Sequence, residues 1–308
     1  SSGKPRRRMK KPLHFLTLYD LSPSELNALV LRAIELKKRH KSGLEDLPLK
    51  GKVLAMIFEL NSTRTRVAFE TGIQQLGGHA IYLSAQDSQL GRGEPIADTA
   101  RVLSEMVDLV VIRAKDHQYV CEFSKYSRIP VINGMTNMSH PCQILADIQT
   151  YTEIRGSIHG KKVAFIGDGY NMCNSYIRAA KQFDFSLNIA TPKSHKPNQK
   201  LLSAVDQAIW IDNPEEAVAS ADLVVTDVWS SMGHEEEGND RLASFDGFQV
   251  DSELLDRANK DAIFMHCLPA HRGEEISNDL LDDTRSVVWQ EAGNRLHSQK
   301  ALMELLLK

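Results

Sequence analysis

The densest concentration of anion-holding groups in the chain is the run Ser62-Thr63-Arg64-Thr65-Arg66. It follows an apolar, strand-like segment, VLAMIF (53–58), and opens a helix-like one in which Phe69, Ile73 and Leu76 recur at i, i+4 and i+7. Asn61 or Ser62 is a natural N-cap, because a short polar side chain there accepts from a free first-turn N–H. The remaining N–H groups and the positive end of the helix dipole then face outward. Hydroxyl and guanidinium groups at the same spot add donors matched to phosphate oxygens. The plainer alternative is a polar helix start with solvated arginines.

Other reactive groups sit where strands should end. Arg113 follows DLVVI, and an arginine there either caps a carbonyl or faces a ligand. His140 precedes Pro141 at a helix start, with Gln143 in the first turn; such a histidine is a cap or a catalyst. KKVAFIGDGYNMCNS (161–175) has Gly167 and Gly169 after a strand, but no further glycine completes the G-x-G-x-x-G spacing. The next strand, SLNIA, ends in Thr191-Pro192 without an acidic residue for a ribose hydroxyl, which disfavours a nicotinamide dehydrogenase. Asn171, opening the following helix, remains a candidate contact for a polar small molecule.

Asp227 ends the strand ADLVVT and precedes the loop VWSSMG (228–233). With Ser231 it could hold a cationic substrate, or it could simply close an Asx-type turn. Cys267 leaves a strand just before Leu268-Pro269, with His266 and His271 nearby. It reads as a small hydrophobe, a nucleophile or a metal ligand. Arg295 lies in the first turn of the last helix and on its own reads as a solvated charge.

These residues need a frame, and the hydrophobic pattern supplies one. Strand-like runs fall at 53–58, 80–83, 108–112, 129–132, 162–166, 186–190, 222–226, 262–266 and 286–289. Amphipathic segments separate most of them, near 65–76, 97–106, 116–125, 141–153, 171–182, 197–207, 213–220, 251–258 and 292–307. The alternation predicts an α/β protein of two doubly wound domains, each a central parallel sheet flanked by helices, with the site in the cleft between them. HPCQILADIQTYTE (140–153) is the expected junction: Pro141 suits a first helical position, and Ile144, Ile148 and Tyr151 form one stripe. The final helix could return to either domain. In open α/β sheets ligands collect beyond the carboxyl ends of strands, where the candidate residues lie.

The 308-residue length suits two domains, and 42% hydrophobic with 25% charged residues describes a globular protein with a full core. A formal net charge of −3 gives no support to nucleic-acid binding, so an anionic substrate needs locally clustered positive charge. No apolar run approaches the roughly 18 residues that span a bilayer, and no signal-peptide core is visible. The opening SSGKPRRR reads as a tag remnant or a disordered arm, with Met9 the natural start. Cys121, Cys142, Cys173 and Cys267 form no C-x-x-C pair, which argues against zinc, and such sparse thiols fit a reducing compartment.

Together the segments resemble the aspartate/ornithine carbamoyltransferase family, and within it the ornithine-using branch. The resemblance runs from about residue 12 onward through STRTR (62–66), the Gln89 loop with DTARVL (98–103), HPCQ (140–143), DVWSSMG (227–233), HCLPAHRGEE (266–275) and NRLHSQKA (294–301). The first and third mark the carbamoyl phosphate half; the SMG turn and HCLP point to ornithine. The resemblance implies transfer of the carbamoyl group of carbamoyl phosphate to the δ-amine of L-ornithine, giving L-citrulline and phosphate. It implies no metal or organic cofactor, a cytoplasmic setting and a homotrimer with active sites between subunits.

Carried over by residue, Ser62, Thr63, Arg64 and Thr65 would hold the phosphate. Arg113, His140 and Gln143 would bind the carbamoyl group, and Gln89 would be lent by a neighbouring subunit. Asn171, Asp227, Ser231 and Met232 would hold ornithine, while Cys267, Leu268 and Arg295 would complete the pocket. Arg113, His140, Asp227 and Cys267 are the expected catalytic set. The implied domains are 9–146 with 293–308 for carbamoyl phosphate, and 147–292 for ornithine. Leu60-Asn61 replaces the Lys-Pro common before STRTR, and Met172-Cys173-Asn174 replaces Val-Ala-His.

Overall fold

The computed structural model describes residues 10–86, 92–229 and 238–308. The opening 1–8 segment, Gln89, Ser231 and Met232 lie outside the described residues. The first half builds a parallel sheet from β1 (Val53–Phe58), β2 (His79–Ser84), β3 (Leu109–Arg113) and β4 (Val131–Met135), in the order β2-β1-β3-β4. Its helices are α1 (Pro23–Lys41), α2 (Thr63–Gln75), α3 (Ile96–Ser104) and α4 (His117–Tyr126).

Helix α5 (Pro141–Arg155) leads to a second parallel sheet. Its strands are β5 (Lys162–Ile166), β6 (Ser186–Ala190), β7 (Ala208–Trp210), β8 (Leu223–Thr226) and β9 (Ile263–His266), in the order β7-β6-β5-β8-β9. Helices α6 (Asn171–Phe183), α7 (Gln199–Ser203), α8 (Pro214–Val218), α9 (Gly238–Ser244), α10 (Ser252–Asp256) and α11 (Val288–Leu306) complete the described chain.

The inner strands are apolar along most of their length because both faces are covered. In the first sheet Leu54, Met56, Phe58, Leu109, Val111 and Ile132 join one core, while Ala55, Ile57, Val110, Ile112 and Val131 join another. That is the period of two expected of a pleated strand. The second sheet divides likewise, with Val163, Phe165, Leu223 and Val225 on one side and Ala164, Ile166 and Val224 on the other. One apolar cluster runs unbroken from Leu54 and Phe69 through Ile144 to Phe165 and Met303, so the two halves share packing.

Four elements, among them the short helix α9, which no expected segment covers, depart from the sequence-based expectation. Helix α1 is absent from it; its start carries a capping box in which Ser22 accepts from the Glu25 N–H and Glu25 accepts from the Ser22 N–H. The expected strand at 286–289 pairs only briefly beside β9, through the Val287 N–H to Phe264 carbonyl bond, before the chain turns into α11. Strand β7 is only three residues long, too short for periodicity to register. Helix α11 packs along α5, α1 and α2 and touches β9.

Two topological details aim the candidate residues. Each sheet has a point where strand order reverses, between β1 and β3 in the first and between β5 and β8 in the second. The β3–β4 register also shifts after Ile112, so that Arg113 pairs with Met135 and Gly134 is the extra residue. Such a bulge bends the strand and redirects the side chain opposite. A Cβ at Gly134 would sit 3.2 Å from the Ile112 carbonyl and 3.1 Å from Val111 Cγ1, leaving little room for another residue.

Candidate active site

Ser62 caps α2, its hydroxyl accepting from the Thr65 N–H at 3.3 Å. This turns the first-turn N–H groups and the Thr65 side chain toward the end of β3. Thr65 is only 1% exposed, and its Oγ1 accepts from Ser62 Oγ at 3.1 Å, Arg113 NH1 at 3.4 Å and Arg295 NH2 at 3.1 Å. Three elements distant in sequence thereby meet on one hydroxyl. Arg66 does not join them: its guanidinium lies 3.8 Å from the centre of the Tyr82 ring and pairs with Glu70.

Arg113 and Arg295 bond neutral oxygens here: Thr65 and the Gly134 carbonyl for the first, Thr65, Gln143 and Gln299 for the second. Arg113 Nε is buried without a hydrogen-bond partner. Burial, followed by the Arg295 and Arg64 charges, pushes the Arg113 guanidinium down to about 10, so it remains charged at neutral pH. Burial likewise lowers Arg295. Two desolvated cations converging in this way gain most from an anion bound between them.

His140 stands at the N-terminus of α5 but makes no side-chain cap bond; its backbone N–H donates to Ser175 Oγ at 2.9 Å. Burial and the Arg295 and Arg113 charges hold its imidazole well below the usual histidine range, so it is neutral at pH 7. Its Nδ1 is buried without a partner. Gln143, one turn on, accepts from Arg295 NH1 at 2.8 Å.

The second half supplies the opposite wall. Asp227 follows β8, and its Oδ1 accepts from the Val228 N–H at 2.7 Å and from the Cys267 thiol at 3.2 Å. Burial pushes the Asp227 carboxyl up, and burial with the Asp227 charge pushes the Cys267 thiol well up, so the thiol stays protonated. The Leu268 N–H donates to His266 Nδ1 at 2.8 Å, and Leu268 has a left-handed φ of 61°. Asn171 donates from Nδ2 to the Thr136 carbonyl at 2.9 Å, tying α6 to the segment after β4.

A single cavity of about 510 Å³ is lined from one side by Ser62, Thr63, Arg64, Thr65, Arg113, His140, Gln143 and Arg295. Asn171, Asp227, Cys267 and Leu268 line it from the other. Every described residue that the resemblance assigns to the pocket therefore opens onto the same space, while Arg66 of the STRTR run does not. Among the described residues, donor atoms of Asp227, His266 and Cys267 come within 4.8 Å of one another. The Cys267-to-Asp227 and Leu268-to-His266 bonds already engage this group, which we read as a hydrogen-bonded cluster and not as a ligand set.

Sequence reasoning missed the layer behind the cavity. Asp147, Tyr176 and Glu291 are buried and bear on Gln143 and on each other. Asp147 lies four residues after Gln143 on α5, the spacing that puts both on one helix face. That was the only signal. Glu291 and Tyr176 come from other helices, and nothing local marks them.

A parallel-sheet pair joined through a buried junction helix, with an arginine-lined cavity at both switch points, is the setting in which two family models match. The carbamoyl-P binding domain of aspartate/ornithine carbamoyltransferase matches residues 13–153, and the Asp/Orn binding domain of the same family matches residues 159–306. The chain belongs to the aspartate/ornithine carbamoyltransferase family. It is similar to an ornithine carbamoyltransferase of Hydrogenovibrio crunogenus, 57% identical over 295 residues, covering 96% of this chain and 98% of the relative. The anabolic ornithine carbamoyltransferase 1 of Pseudomonas savastanoi pv. phaseolicola is 58% identical over 96% of each chain. The crystal structure of an ornithine carbamoyltransferase from Burkholderia thailandensis superposes with a TM-score of 0.89 at 48% identity, covering 96% of this chain and 98% of the other.

Proposed function

We propose that this chain transfers the carbamoyl group of carbamoyl phosphate to the δ-amine of L-ornithine, giving L-citrulline and phosphate, in the service of arginine biosynthesis. The observation that carries the reading is the single cavity in which Arg64, Arg113 and Arg295 face Asp227. One wall suits a doubly charged acyl phosphate, the other the ammonium group of an amino acid.

In this reading Ser62, Thr63, Arg64 and the α2 first-turn N–H groups hold the phosphate, with Arg295. Arg113, neutral His140 and the Thr65 hydroxyl surround the carbamoyl oxygen, where negative charge develops as the amine attacks. Preorganised donors of this kind contribute roughly 3–4 kcal/mol each. Gln143 takes the carbamoyl amide. Asn171, Asp227, Ser231 and Met232 hold ornithine, with Leu268 at the pocket edge. Asp227 orients the substrate and does not deprotonate it, since a carboxylate favours the charged form of a nearby amine. Cys267, donating to Asp227, holds that carboxylate in place. The chemistry calls on no metal or organic cofactor.

The proposal extends to assembly and location: a homotrimer in the cytoplasm, in which Gln89 reaches a neighbour's site. The carbamoyl phosphate domain is 9–146 with 293–308 and the ornithine domain 147–292, and the packing of α11 on α5, α1 and α2 supports that grouping. Among the described residues no helix is long and apolar enough to cross a membrane. Citrulline formation assayed in parallel with ornithine, putrescine, aspartate and acetylornithine tests the reading. Turnover confined to ornithine is expected; turnover with another amine and none with ornithine would overturn it. Sedimentation at the mass of a monomer would refute the trimer.

A further inference from the structure

Beneath the arginine cup lies a second layer of buried polar groups that never reaches the cavity. Gln143 Nε2 donates to Asp147 Oδ1 at 3.0 Å and to Glu291 Oε2 at 3.3 Å, while its Oε1 accepts from Arg295 NH1 at 2.8 Å. Asp147 is also bonded by the Tyr176 hydroxyl, and Glu291 Oε1 accepts from the His266 N–H at 3.0 Å. Asp147 is fully buried and Glu291 is 1% exposed. The two carboxyls are neighbours, since both accept from the same Gln143 amide nitrogen. Four elements, α5, α6, β9 and α11, meet at this pair.

The arrangement fixes which end of the Gln143 amide faces which neighbour. Both Nε2 hydrogens are committed to the carboxyls, so the group left to the substrate is Oε1, an acceptor with a second lone pair. Turning the amide over would set Oε1 against Asp147 and the NH2 against the Arg295 guanidinium, losing the charge-assisted bonds on both sides. An acceptor at this position suits a substrate N–H and gives nothing to a methyl group. We propose that Asp147 and Glu291 are positioning residues that set the orientation of Gln143 and thereby select carbamoyl phosphate over acyl phosphates that lack an amide.

Two carboxylates this close cannot both ionise without severe repulsion. Burial raises both, while Asp147 accepts the Tyr176 hydroxyl and the shorter of the two Gln143 bonds, which favours the anion there and leaves the shared proton on Glu291. The pair then carries one negative charge below two arginines. Glu291 acts as a neutral hydrogen-bond donor to Asp147 and Asp147 as the anionic acceptor. The two carboxyls are therefore not interchangeable. An amide can replace the protonated acid as donor, whereas it cannot replace the anion.

The inference rests on the carbamoyl phosphate reading of the cavity, and one experiment separates the two. Citrulline formation is measured for the parent, Asp147→Asn, Glu291→Gln and Tyr176→Phe, with acetyl phosphate as the competing ligand. A parent that makes no citrulline overturns the functional reading and this proposal with it. With an active parent, Asp147→Asn is expected to raise KM for carbamoyl phosphate at least tenfold, more than it lowers kcat. It should also cut the preference for carbamoyl over acetyl phosphate at least tenfold. Tyr176→Phe, which removes one hydroxyl, should cut that preference about threefold and carries the test if Asp147→Asn does not fold. Glu291→Gln should keep the preference within about threefold. An active parent whose preference is unchanged in Tyr176→Phe and in any folded Asp147→Asn overturns the pair alone. So does a Glu291→Gln that loses as much as Asp147→Asn.

Discussion

Arg295 NH2 lies 3.1 Å from Thr65 Oγ1, although the two residues are 230 positions apart. Thr65 also accepts from Arg113, so one hydroxyl holds together the start of α2, the end of β3 and the first turns of α11. Thr65→Val keeps the branched shape and removes the hydroxyl. We expect kcat/KM for carbamoyl phosphate to fall by about 10²–10³, the usual cost of disturbing one preorganised donor set. Steady-state kinetics beside a melting curve checks this; a folded variant of full efficiency would contradict it.

The nucleophile sets the second expectation. An aliphatic amine titrates near lysine's value, about 10, so at neutral pH only a small fraction is uncharged. Two described lining groups are poor bases for it: His140 is neutral yet lies among the arginines, and Asp227 favours the ammonium form. At subsaturating ornithine the rate should therefore climb with pH, approaching tenfold per unit between about pH 6 and 9. A flat profile across that range would exclude a free-amine nucleophile.

His297 sits on α11 facing the lysines of α1 and is largely buried, and its Nδ1 has no partner. Burial, with the charges of Lys37, Lys300 and other nearby bases, pushes its imidazole down to about 3. In the unfolded chain the group titrates near 6.5. Above that value both states are neutral. Below it the unfolded state takes up a proton that the folded state refuses, so stability falls as pH drops from about 6.5 toward 3. His297→Gln should flatten this decline, measured as urea midpoints at pH 7, 5.5 and 4.5. An unchanged slope would refute it.

Gly169 tests the second domain. A Cβ there would stand 2.3 Å from the Pro197 nitrogen and 2.4 Å from the His195 carbonyl oxygen, both backbone atoms. The Gly169 N–H already bonds that same carbonyl, so the two loops cannot part without losing this bond. Gly169→Ala should destabilise by roughly 1–3 kcal/mol and weaken ornithine binding, because Asn171 follows two residues later. Equal urea midpoints for the two chains would show that the loops yield.

The fold was largely readable because both sheets are parallel and covered on each face, so their strands announce themselves as short apolar runs. Leu109–Ile112 and Val163–Ile166 are such cases. Helix α1 escaped although Leu26, Leu29, Val30, Ala33 and Leu36 recur at helical spacing, because the exposed Ala28 and Leu31 blur that stripe. Strand 286–289 was misread because Val287, Val288 and Trp289 carry β propensity, yet Val287 only precedes the helix, Val288 packs into the second sheet's core and Trp289 stays exposed as α11 begins. At the site, most first-line residues were visible since they occupy strand ends or helix starts, whereas Arg295, eight residues into α11, was marked only by the resemblance. Arg66 was misleading: its neighbour Arg64 turns inward one helical step away, and only the position of Tyr82 decides which guanidinium faces the cavity. The layer formed by Asp147, Tyr176 and Glu291 was illegible because its members meet only through tertiary packing.

Helix α11 gives the protein an order of assembly. It supplies Arg295 and Glu291 to a cup whose other parts were translated more than a hundred residues earlier. A nascent chain emerging from the ribosome can therefore form both sheets while still lacking a closed anion site. Competence to bind substrate arrives only once α11 has left the exit tunnel, so stalled or prematurely stopped chains ending before Val288 would not sequester carbamoyl phosphate.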